Sequence, residues 1–479
     1  MRGIYPHRAG ALVALLALGG CMVGPNYKAP AMPSPPAYSD NGHNGDWSAA
    51  VPADQSDRGA WWTVYKDADL NDLELRCAAA NQNIAAALHA YEQAHDLVRE
   101  NKASLYPTVS IGGSATRNKL SQHQPFVSPS TLLDYWDFLI PMNISWEPDL
   151  WGSVRRQIES SAASAQAMAA DLANTRLSLQ GTLAVTYFQI RGIDLQAQLL
   201  RSTIHDYSLM LQLTLDRKKY GLASDIDVEE AKAQMEAARA QLIDLGVQRA
   251  QYEHATAVLI GVPATGFHVS ERPLAGDPPP IPTGIPSQLL ERRPDIAAAE
   301  RRVASANALI GVAKSTFFPT VMLGATGGTN SESASEAMSP SSTMWSGGPS
   351  VNETIFDAGR RRAEVDYARA QHEQAVALYR EQVLSAFRDV EDQLAALRVL
   401  EDEAAVTARA VDAAKKTTAL STVRYKRGLA PYLELLTNES IELDDERLAA
   451  ALVSRRVVAS TELQMALGGG WSSTLLPKN

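Results

Sequence analysis

Apolar and polar positions follow two different periods along this chain, and the more extensive one is helical. In residues 429–443, four leucines and one serine recur at alternating spacings of four and three, which is typical of a coiled-coil seam. The chain also contains two long stretches without proline, residues 153–220 and 360–427, and the second of them ends just before this seam. Both stretches are rich in the helix-forming residues Ala, Leu, Glu, Gln and Arg. At 1.5 Å per residue, each stretch predicts a helix of roughly 100 Å.

Glycines end both long stretches and mark where the chain turns back. Gly221 and Gly428 each follow a long stretch, and a shorter helical segment then returns to Gly261 or Gly468. A helix reversal needs a residue that tolerates a positive φ angle, as glycine does. The pattern therefore predicts two helical hairpins, over residues 152–261 and 359–467. Their predicted tip turns comprise Gly221, Leu222, Ala223, Gly428, Leu429 and Ala430.

Between the helical segments, apolar residues take every second position, which predicts β-strands. The clearest run places five apolar residues on one face: Phe138, Ile140, Met142, Ile144 and Trp146. The predicted β-hairpins cover residues 107–147 and 319–356, with Ser/Pro-rich loops at 118–134 and 330–343. Segments of about ten residues with one apolar face are typical of outer-membrane barrel strands. The alternative is a small soluble sheet with one solvent-exposed face.

The two hairpins belong to two copies of one pattern. Tyr106-Pro107-Thr108-Val109 matches Phe318-Pro319-Thr320-Val321 at an offset of 212 residues, and beyond the strands the offset is 207, which pairs Gly152 with Gly359. We therefore predict two structural repeats joined by a proline-rich linker. The predicted division is a signal peptide at 1–20, a lipidated tether at 21–67, repeats at 68–262 and 295–470, a linker at 263–294 and a tail at 471–479.

Each copy supplies one predicted strand pair, so one chain is too small to close a membrane barrel. An open sheet edge within lipid would leave backbone groups unpaired. Two chains would give about eight strands, whose interior is filled by side chains. Three chains would give about twelve, an even number within the known range. The predicted fold class is mainly α with a membrane β part, in which a trimer shares a twelve-stranded β-barrel.

The amino terminus has the pattern of an export signal. Basic residues Arg2 and Arg8 precede an apolar run over residues 9–18, which is too short to span a bilayer and is typical of a signal peptide. The run ends in Leu-Gly-Gly-Cys21, which resembles a bacterial lipobox and predicts a diacylglyceryl and palmitoyl group on Cys21. Met22 follows, rather than an aspartate, which favours sorting to the outer membrane. An ordinary signal peptide with an incidental cysteine is the alternative.

Composition and charge exclude several kinds of function. The formal net charge is −10 and basic clusters are absent, so nucleic-acid binding is not expected. The sequence has no His-Glu-x-x-His, no Cys-x-x-Cys and no phosphate-binding glycine loop. We therefore predict no enzymatic activity, no metal site and no cofactor apart from the covalent lipid. Cys77, the second of two cysteines, lies in a helical pattern and is predicted to be a small buried apolar residue.

Several strings resemble the TolC/OprM family of outer-membrane efflux ducts, in its lipoprotein branch. The matching strings are Cys21-Met22-Val23-Gly24-Pro25-Asn26-Tyr27, Trp61-Trp62, Leu289-Leu290-Glu291-Arg292-Arg293-Pro294-Asp295-Ile296, Arg424-Tyr425-Lys426-Arg427-Gly428 and Gly468-Gly469-Gly470-Trp471. The resemblance implies a homotrimer with a barrel in the outer membrane above a periplasmic α-helical barrel. It also implies a periplasmic adaptor docked at the tips, an inner-membrane RND-type transporter, and export of drugs or other toxic compounds.

Two acids near the predicted tips are candidates for an entrance constriction. Asp227 and Glu434 each lie six residues after a tip glycine, and the resemblance implies a cation-selective entrance at this position. Three copies of two carboxylates in a narrow lumen attract cations. The alternative is that both acids only complement the dipole at the start of a return helix. Arg424 and Tyr425, just before the turn, are candidates to tie neighbouring hairpins shut.

This chain departs from the family pattern at two positions. Lys218 occupies the place in the first copy that Tyr425 occupies in the second, so the tyrosine's tip contacts are not expected there. Glu353, matched to Trp146 on the face predicted to meet lipid, is expected below the membrane near the helix junction because a glutamate in lipid is costly.

Two alternatives to an efflux duct remain open from the residues alone. One is an outer-membrane duct for type I protein secretion, which would have the same architecture. The other is a lipid-anchored periplasmic coiled-coil scaffold without a pore.

Overall fold

The computed structural model describes residues 22–32, 60–121, 134–279, 292–471 and 476. The predicted signal peptide, Cys21 and residues 280–291 of the predicted linker lie outside these residues. The strands are β1 Thr108–Ile111, β2 Ser114–Lys119, β3 Asp134–Trp146, β4 Thr320–Ser331 and β5 Thr343–Asn352. The α-helices are α1 Ala68–Ala80, α2 Gln82–Ala103, α3 Ser153–Lys219, α4 Asp225–Leu259, α5 Pro294–Ser315, α6 Arg360–Lys426 and α7 Tyr432–Ala466.

The duplication appears directly in the helix lengths. Helices α3 and α6 both have 67 residues, and the return helices α4 and α7 both have 35. At 1.5 Å per residue the long helices extend roughly 100 Å. Each begins after a glycine with positive φ, Gly152 at 81° and Gly359 at 90°. The long helices end one residue before the predicted positions.

The helices lie side by side in a definite order. Helix α3 packs against α4 on one side and α7 on the other, and α7 also packs against α6. Helix α5 packs against both α3 and α6, so it joins the two repeats. The largest buried cluster includes Trp61, Trp62, Tyr187 and Phe188, and Cys77 is fully buried within it as a free thiol. The prediction that Cys77 is a buried apolar residue is confirmed.

The strands form one antiparallel sheet in the order β1-β3-β4-β5, with β2 also paired to β3. β1 and β2 are two parts of one edge strand, interrupted at Gly112 and Gly113. On the predicted apolar face, Met142 and Ile144 are exposed, whereas Phe138, Ile140 and Trp146 are half-buried. The two exposed residues pair with exposed apolar residues of β1, Ile144 with Val109 and Met142 with Ile111. In the described chain, no strand covers the outer edge of β5 or that of β1 and β2.

The last predicted strand is too long. It was expected to continue through residue 356, but β5 ends at Asn352. Arg361 in the first turn of α6 contacts the Glu353 carboxylate at 3.0 Å and the backbone carbonyl of Thr354. These contacts turn the chain toward the helix. The prediction that Glu353 lies near the helix junction is confirmed.

The second predicted loop is also shorter than expected, because β4 continues through Ser331 and a short 3-10 helix, Pro340–Ser342, occupies its far end. Among the described residues, no helix is both long and apolar enough to cross a membrane.

Candidate functional site

The two hairpin tips have the same turn. Gly221 has φ 69° and Gly428 has φ 73°, a region that glycine tolerates without a steric penalty. In each turn the residue after the glycine donates its N–H to the carbonyl five residues earlier, Leu222 to Arg217 and Leu429 to Arg424, both at 2.9 Å. This is the hydrogen bond of a Schellman motif, which ends a helix cleanly. The tip positions predicted from the glycines therefore agree with the structure.

The tips present apolar side chains to solvent. Leu222 is 65% exposed and Leu429 is 66% exposed, and Tyr220 beside the first turn is also exposed. Ala223 and Ala430 are half-buried. Exposed large apolar side chains grouped at the end of a structure mark a surface that a partner can cover.

Arg217 joins the two tips, a role that sequence patterns did not identify. Its guanidinium donates to the backbone carbonyls of Tyr425 at 2.7 Å and Lys426 at 3.2 Å. It also lies over the Tyr425 ring, 4.6 Å from the centroid. The Tyr425 hydroxyl is buried and lies 3.1 Å from the Thr214 hydroxyl. We call Arg217, Thr214 and Tyr425 the tip clamp.

The internal duplication draws attention to Arg217, because this residue is matched to an arginine in the second repeat. Arg217 and Arg424 are matched by the 207-residue offset, yet they have different partners. Arg424 contacts Glu434 of its own hairpin at 2.8 Å. Among the described residues, Tyr425 therefore has polar partners in the other hairpin, whereas the ion-pair partner of Arg424 belongs to its own hairpin. Lys218, in the place of the missing tyrosine, pairs with Asp225 at the start of α4.

The two candidate entrance acids also have different partners. The Asp227 carboxylate accepts a hydrogen bond from the Ser224 backbone N–H at 2.7 Å, and the Ser224 hydroxyl accepts one from the Asp227 N–H at 3.2 Å. These bonds form a capping box, so Asp227 does stabilise the start of α4. Glu434 instead pairs with Arg424. Both acids remain partly accessible to solvent.

A polar cavity lies above the tips between the two hairpins. It has a volume of about 370 Å³ and is lined by residues of α3, α6 and α7. Its ionisable lining residues are Asp206, Tyr207, Lys415, Lys426, Glu439, Glu442 and Glu446. One carboxylate oxygen of Glu439 is buried without a hydrogen-bond partner. Burial, together with the negative charges of Glu442 and Asp206, raises the pKa of Glu439 to about 7.

The specific Arg-Arg-Pro-Asp string has a structural role. Arg293 donates to Asp295 at 2.6 Å, to Asp389 of α6 at 3.3 Å, and to the carbonyl of Ala466 at the end of α7 at 3.2 Å. Its side chain is nearly buried. A buried arginine with charged and backbone partners fixes the start of α5 against the second hairpin.

In the part of the chain that the structure describes, no group of His, Cys, Asp or Glu has an arrangement that could hold a metal ion. His89 contacts Glu92 at 2.8 Å on an exposed helix face. Burial and the nearby Glu74 raise the pKa of the Cys77 thiol to about 12, so this thiol is unsuited to nucleophilic chemistry.

Comparison with known proteins gives consistent matches along most of the chain. The family described as "Outer membrane efflux protein" matches residues 76–262 and 285–469. The solvent efflux pump outer membrane protein SrpC of Pseudomonas putida is 28% identical over 468 residues, covering 96% of this chain and 98% of SrpC. The cation efflux system protein CusC of Escherichia coli is 28% identical over 459 residues, covering 95% and 97%. The outer-membrane channel OprN superposes with a TM-score of 0.84 at 29% identity, covering 94% of this chain and 100% of that structure.

Proposed function

This chain belongs to the outer membrane efflux protein family and is an outer-membrane efflux channel, and we propose that three copies assemble into its conducting duct. The observation that carries the proposal is the pair of unpaired sheet edges, β5 on one side and β1 with β2 on the other. In a bilayer both edges must be paired. Pairing β5 of one copy with β1 and β2 of the next continues the sheet, and three copies give about twelve strands when β1 and β2 count as one.

The helices support the same arrangement. The row α4-α3-α7-α6 ends in α4 and α6, and both outer helices expose apolar side chains. Ile243 on α4 is 75% exposed and Leu420 on α6 is 67% exposed. Burying such side chains against the next copy removes apolar surface from water. In the trimer, α6 of one copy would therefore pack against α4 of its neighbour and close a helical barrel.

The partners follow from the tips and from the relatives. We propose that a periplasmic adaptor docks on the exposed Leu222 and Leu429, with the turns at Gly221 and Gly428 setting their position. An RND-type inner-membrane transporter would deliver the cargo. SrpC belongs to a solvent efflux pump and CusC to a cation efflux system. We propose drugs or other small toxic compounds as cargo here. No catalytic step and no soluble cofactor are part of this function.

The membrane anchor and the entrance complete the proposal. A diacylglyceryl and palmitoyl group on Cys21 would tether the protein to the outer membrane. At the other end, the tip clamp would hold the second hairpin closed against the first, since Arg217 and Tyr425 lie in different repeats. Asp227 and Glu434 would line the narrowed lumen and favour cations.

The test is assembly and conductance of the purified full-length protein. We expect a trimer that withstands mild heating in detergent, and single-channel currents in planar bilayers. Arg217→Met should raise the time spent in open states, because the clamp loses its charged donor. Lys219→Met, which removes an exposed partner of Asp216 in the same helical turn, is the matched control. A protein that stays monomeric in detergent and gives no single-channel currents would overturn the proposed trimeric duct.

A further inference from the structure

The first described residues form a strap, defined as residues 22–32, which is neither helix nor strand. It lies against the repeat seam, where α3 of the first repeat packs on α5 of the second. The backbone N–H of Val23 donates to the carbonyl of Trp151 at 3.1 Å, just before α3 begins. Tyr27 and Met32 pack against the apolar cluster between α5 and α6. The strap is therefore seated by both backbone and side-chain contacts.

The strap and the seam approach each other more closely than side chains allow. Gly24 has φ 105°, and a Cβ atom there would lie 2.5 Å from the Cα of Gly311 in α5. A Cβ atom on Gly311 would lie 2.7 Å from the carbonyl oxygen of Val23. Real Cβ atoms do not approach backbone atoms so closely. This backbone-to-backbone contact requires glycine on both sides.

Arg156 of α3 holds the strap by its polar groups. Its side chain is 2% exposed, and it donates to the carbonyl oxygens of Val23 at 3.2 Å and Gly24 at 3.4 Å. It also donates to the Asn26 side chain at 2.9 Å and pairs with Glu159 at 2.6 Å. A buried guanidinium is costly unless its donors are satisfied. Three of the acceptors that satisfy Arg156 belong to the strap.

Helix α5 contacts the strap from the side opposite α3, and we call the strap-contacting residues of α3 and α5 the seat. The Asn307 side chain donates to the carbonyl of Pro25 at 3.0 Å. The Tyr27 hydroxyl donates to Glu300, and the Arg301 guanidinium lies 5.6 Å from the centre of the Tyr27 ring. The strap thus contacts both repeats.

The internal duplication provides a comparison within the molecule. By the 212-residue offset, Gly311, Asn307 and Glu300 correspond to Arg99, His95 and Leu88 of the first repeat. By the 207-residue offset, Arg156 corresponds to Ala363 of the second. None of these counterparts could reproduce the contacts described above. The seat is therefore a specialised feature of one seam and does not follow from the repeated fold.

The strap begins at the junction between sheet and helices. Met22 lies against Gly152, where a Cβ atom would meet the Met22 side chain at 2.7 Å. Beside it, the Trp151 indole donates to the Pro319 carbonyl at 2.7 Å and stacks on Phe318 at 4.9 Å between ring centres. Phe318 and Tyr106 are exposed at the same junction. Exposed aromatic side chains at the end of membrane strands are typical of the membrane–water interface.

We infer that Arg156 and the repeat seam form a clasp that holds the strap and so fixes a lipid carried at its amino-terminal end at the level of this aromatic junction. The inference rests on the proposed lipid anchor and outer-membrane barrel. Because the proposed lipid attachment site directly precedes the strap, a held strap would keep the acyl chains and the base of the barrel in the same membrane leaflet. Because the strap contacts both repeats, it also links them to each other.

Trypsin cleavage after Lys28, the exposed basic residue of the strap, tests the clasp in the purified full-length protein. Arg156→Met should speed this cleavage by at least about tenfold, because local opening then no longer breaks buried charge-assisted bonds. Gly24→Ala should do the same while leaving α3 and α5 unchanged. Arg360→Met, an exposed arginine at the same junction outside the seat, should have no effect. Equal rates in wild type and both strap-releasing variants would overturn the clasp.

A double-mutant comparison tests the link to the lipid. In cells, Arg156→Met should slow the appearance of heat-stable trimers several-fold in the lipidated protein, and should add no further delay when combined with Cys21→Ser. Equal delay in both backgrounds would overturn the link but leave the clasp standing. Palmitate labelling that persists in Cys21→Ser would refute the proposed lipid anchor itself, while the trypsin rates would still decide whether the strap is held.

Discussion

Buried acidic side chains in this channel differ in the pH at which they change charge. Glu74 is fully buried, and neither carboxylate oxygen has a hydrogen-bond partner. Burial raises its pKa to about 9, so it is neutral at physiological pH. Glu439 is less deeply buried, and burial with two acidic neighbours raises its pKa to about 7. Glu439 therefore titrates near neutral pH, in a cavity that touches both hairpins.

Glu439→Gln should stabilise the protein at pH 8 and change little at pH 5. The folded-state pKa lies above the ordinary value of 4.5, so the fold favours the protonated form. That stability is fully present below about pH 4.5 and is lost as the pH rises from about 4.5 to about 7, because over this range the carboxyl is charged in the unfolded state but still protonated in the folded state. Glutamine avoids the loss, which we expect to be about 3 kcal/mol at pH 8. Thermal melting at both pH values measures it.

The matched control is Glu236→Gln, which removes an exposed glutamate that pairs with Arg239 on α4. It should shift melting by little at either pH. A Glu439→Gln variant that melts like wild type at pH 8 would mean that the carboxylate is solvated or paired in the assembled channel.

At the scale of elements, the two repeats share their backbone structure but differ in the contacts that their matched side chains make. Long helices, return helices and tip turns match between the repeats in length and backbone angle. Their matched side chains diverge, as Arg217 and Arg424 do at the tips. The same holds at the repeat seam, where only one repeat has Arg156 and only the other has Gly311. The Arg217–Tyr425 contact and the contact between Arg156 and the seam each involve a residue that only one repeat has, so the two similar halves of the chain are not equivalent.

The tip turns allow a test of adaptor docking. Gly428→Ala and Gly428→Trp should both strain the turn by roughly 1–2 kcal/mol, because each places a side chain at a positive φ angle. Only tryptophan adds bulk beside the exposed Leu429. We expect near-normal efflux with alanine and strongly reduced efflux with tryptophan, with membrane insertion intact in both. Drug susceptibility and the amount of heat-stable trimer are the two measurements.

The same pair at Gly221 examines the first repeat, where no atom lies within 4 Å of an added Cβ. Wild-type resistance in a Gly221→Trp, Gly428→Trp double variant would rule out docking at the tips. Equal losses with alanine and tryptophan would instead point to the strained backbone.

For the whole molecule, threefold assembly would turn single side chains into rings. Asp227 and Glu434 lie at matched places, so three copies would place six carboxylates around one axis. Within one chain each acid already has a partner, Ser224 for Asp227 and Arg424 for Glu434. The charge of Asp227 is not neutralised by its capping bonds, whereas Arg424 offsets that of Glu434. Asp227 should therefore contribute more to ion selectivity.

Asp227→Asn combined with Glu434→Gln should weaken cation selectivity while changing conductance little, because the backbone constriction remains. Reversal potentials across a salt gradient in planar bilayers measure this change. Of the single variants, Asp227→Asn should account for most of the shift. Glu229→Ala, which removes an exposed acid on the same helix, serves as the control. Unchanged selectivity in the double variant would leave Asp227 with only its role at the start of α4.

The sequence by itself determined the repeated elements of this protein. Proline-free stretches, tip glycines and alternating apolar residues are local signals, because helix, turn and strand each depend on residues a few positions apart. They located both long helices to within a residue, the tip turns and the apolar sheet face. The buried state of Cys77 also followed from its helical neighbours.

Only the tertiary structure decided which distant residues meet. The Arg217–Tyr425 contact joins residues 208 positions apart, and the Arg156–Gly24 contact joins residues 132 positions apart. No local pattern encodes such pairs, since they depend on which helix faces lie together after folding. The end of β5 was misjudged for the same reason. The predicted strand continued past Asn352 to residue 356, but Arg361 in the next helix contacts Glu353 and Thr354, and the strand ends before them.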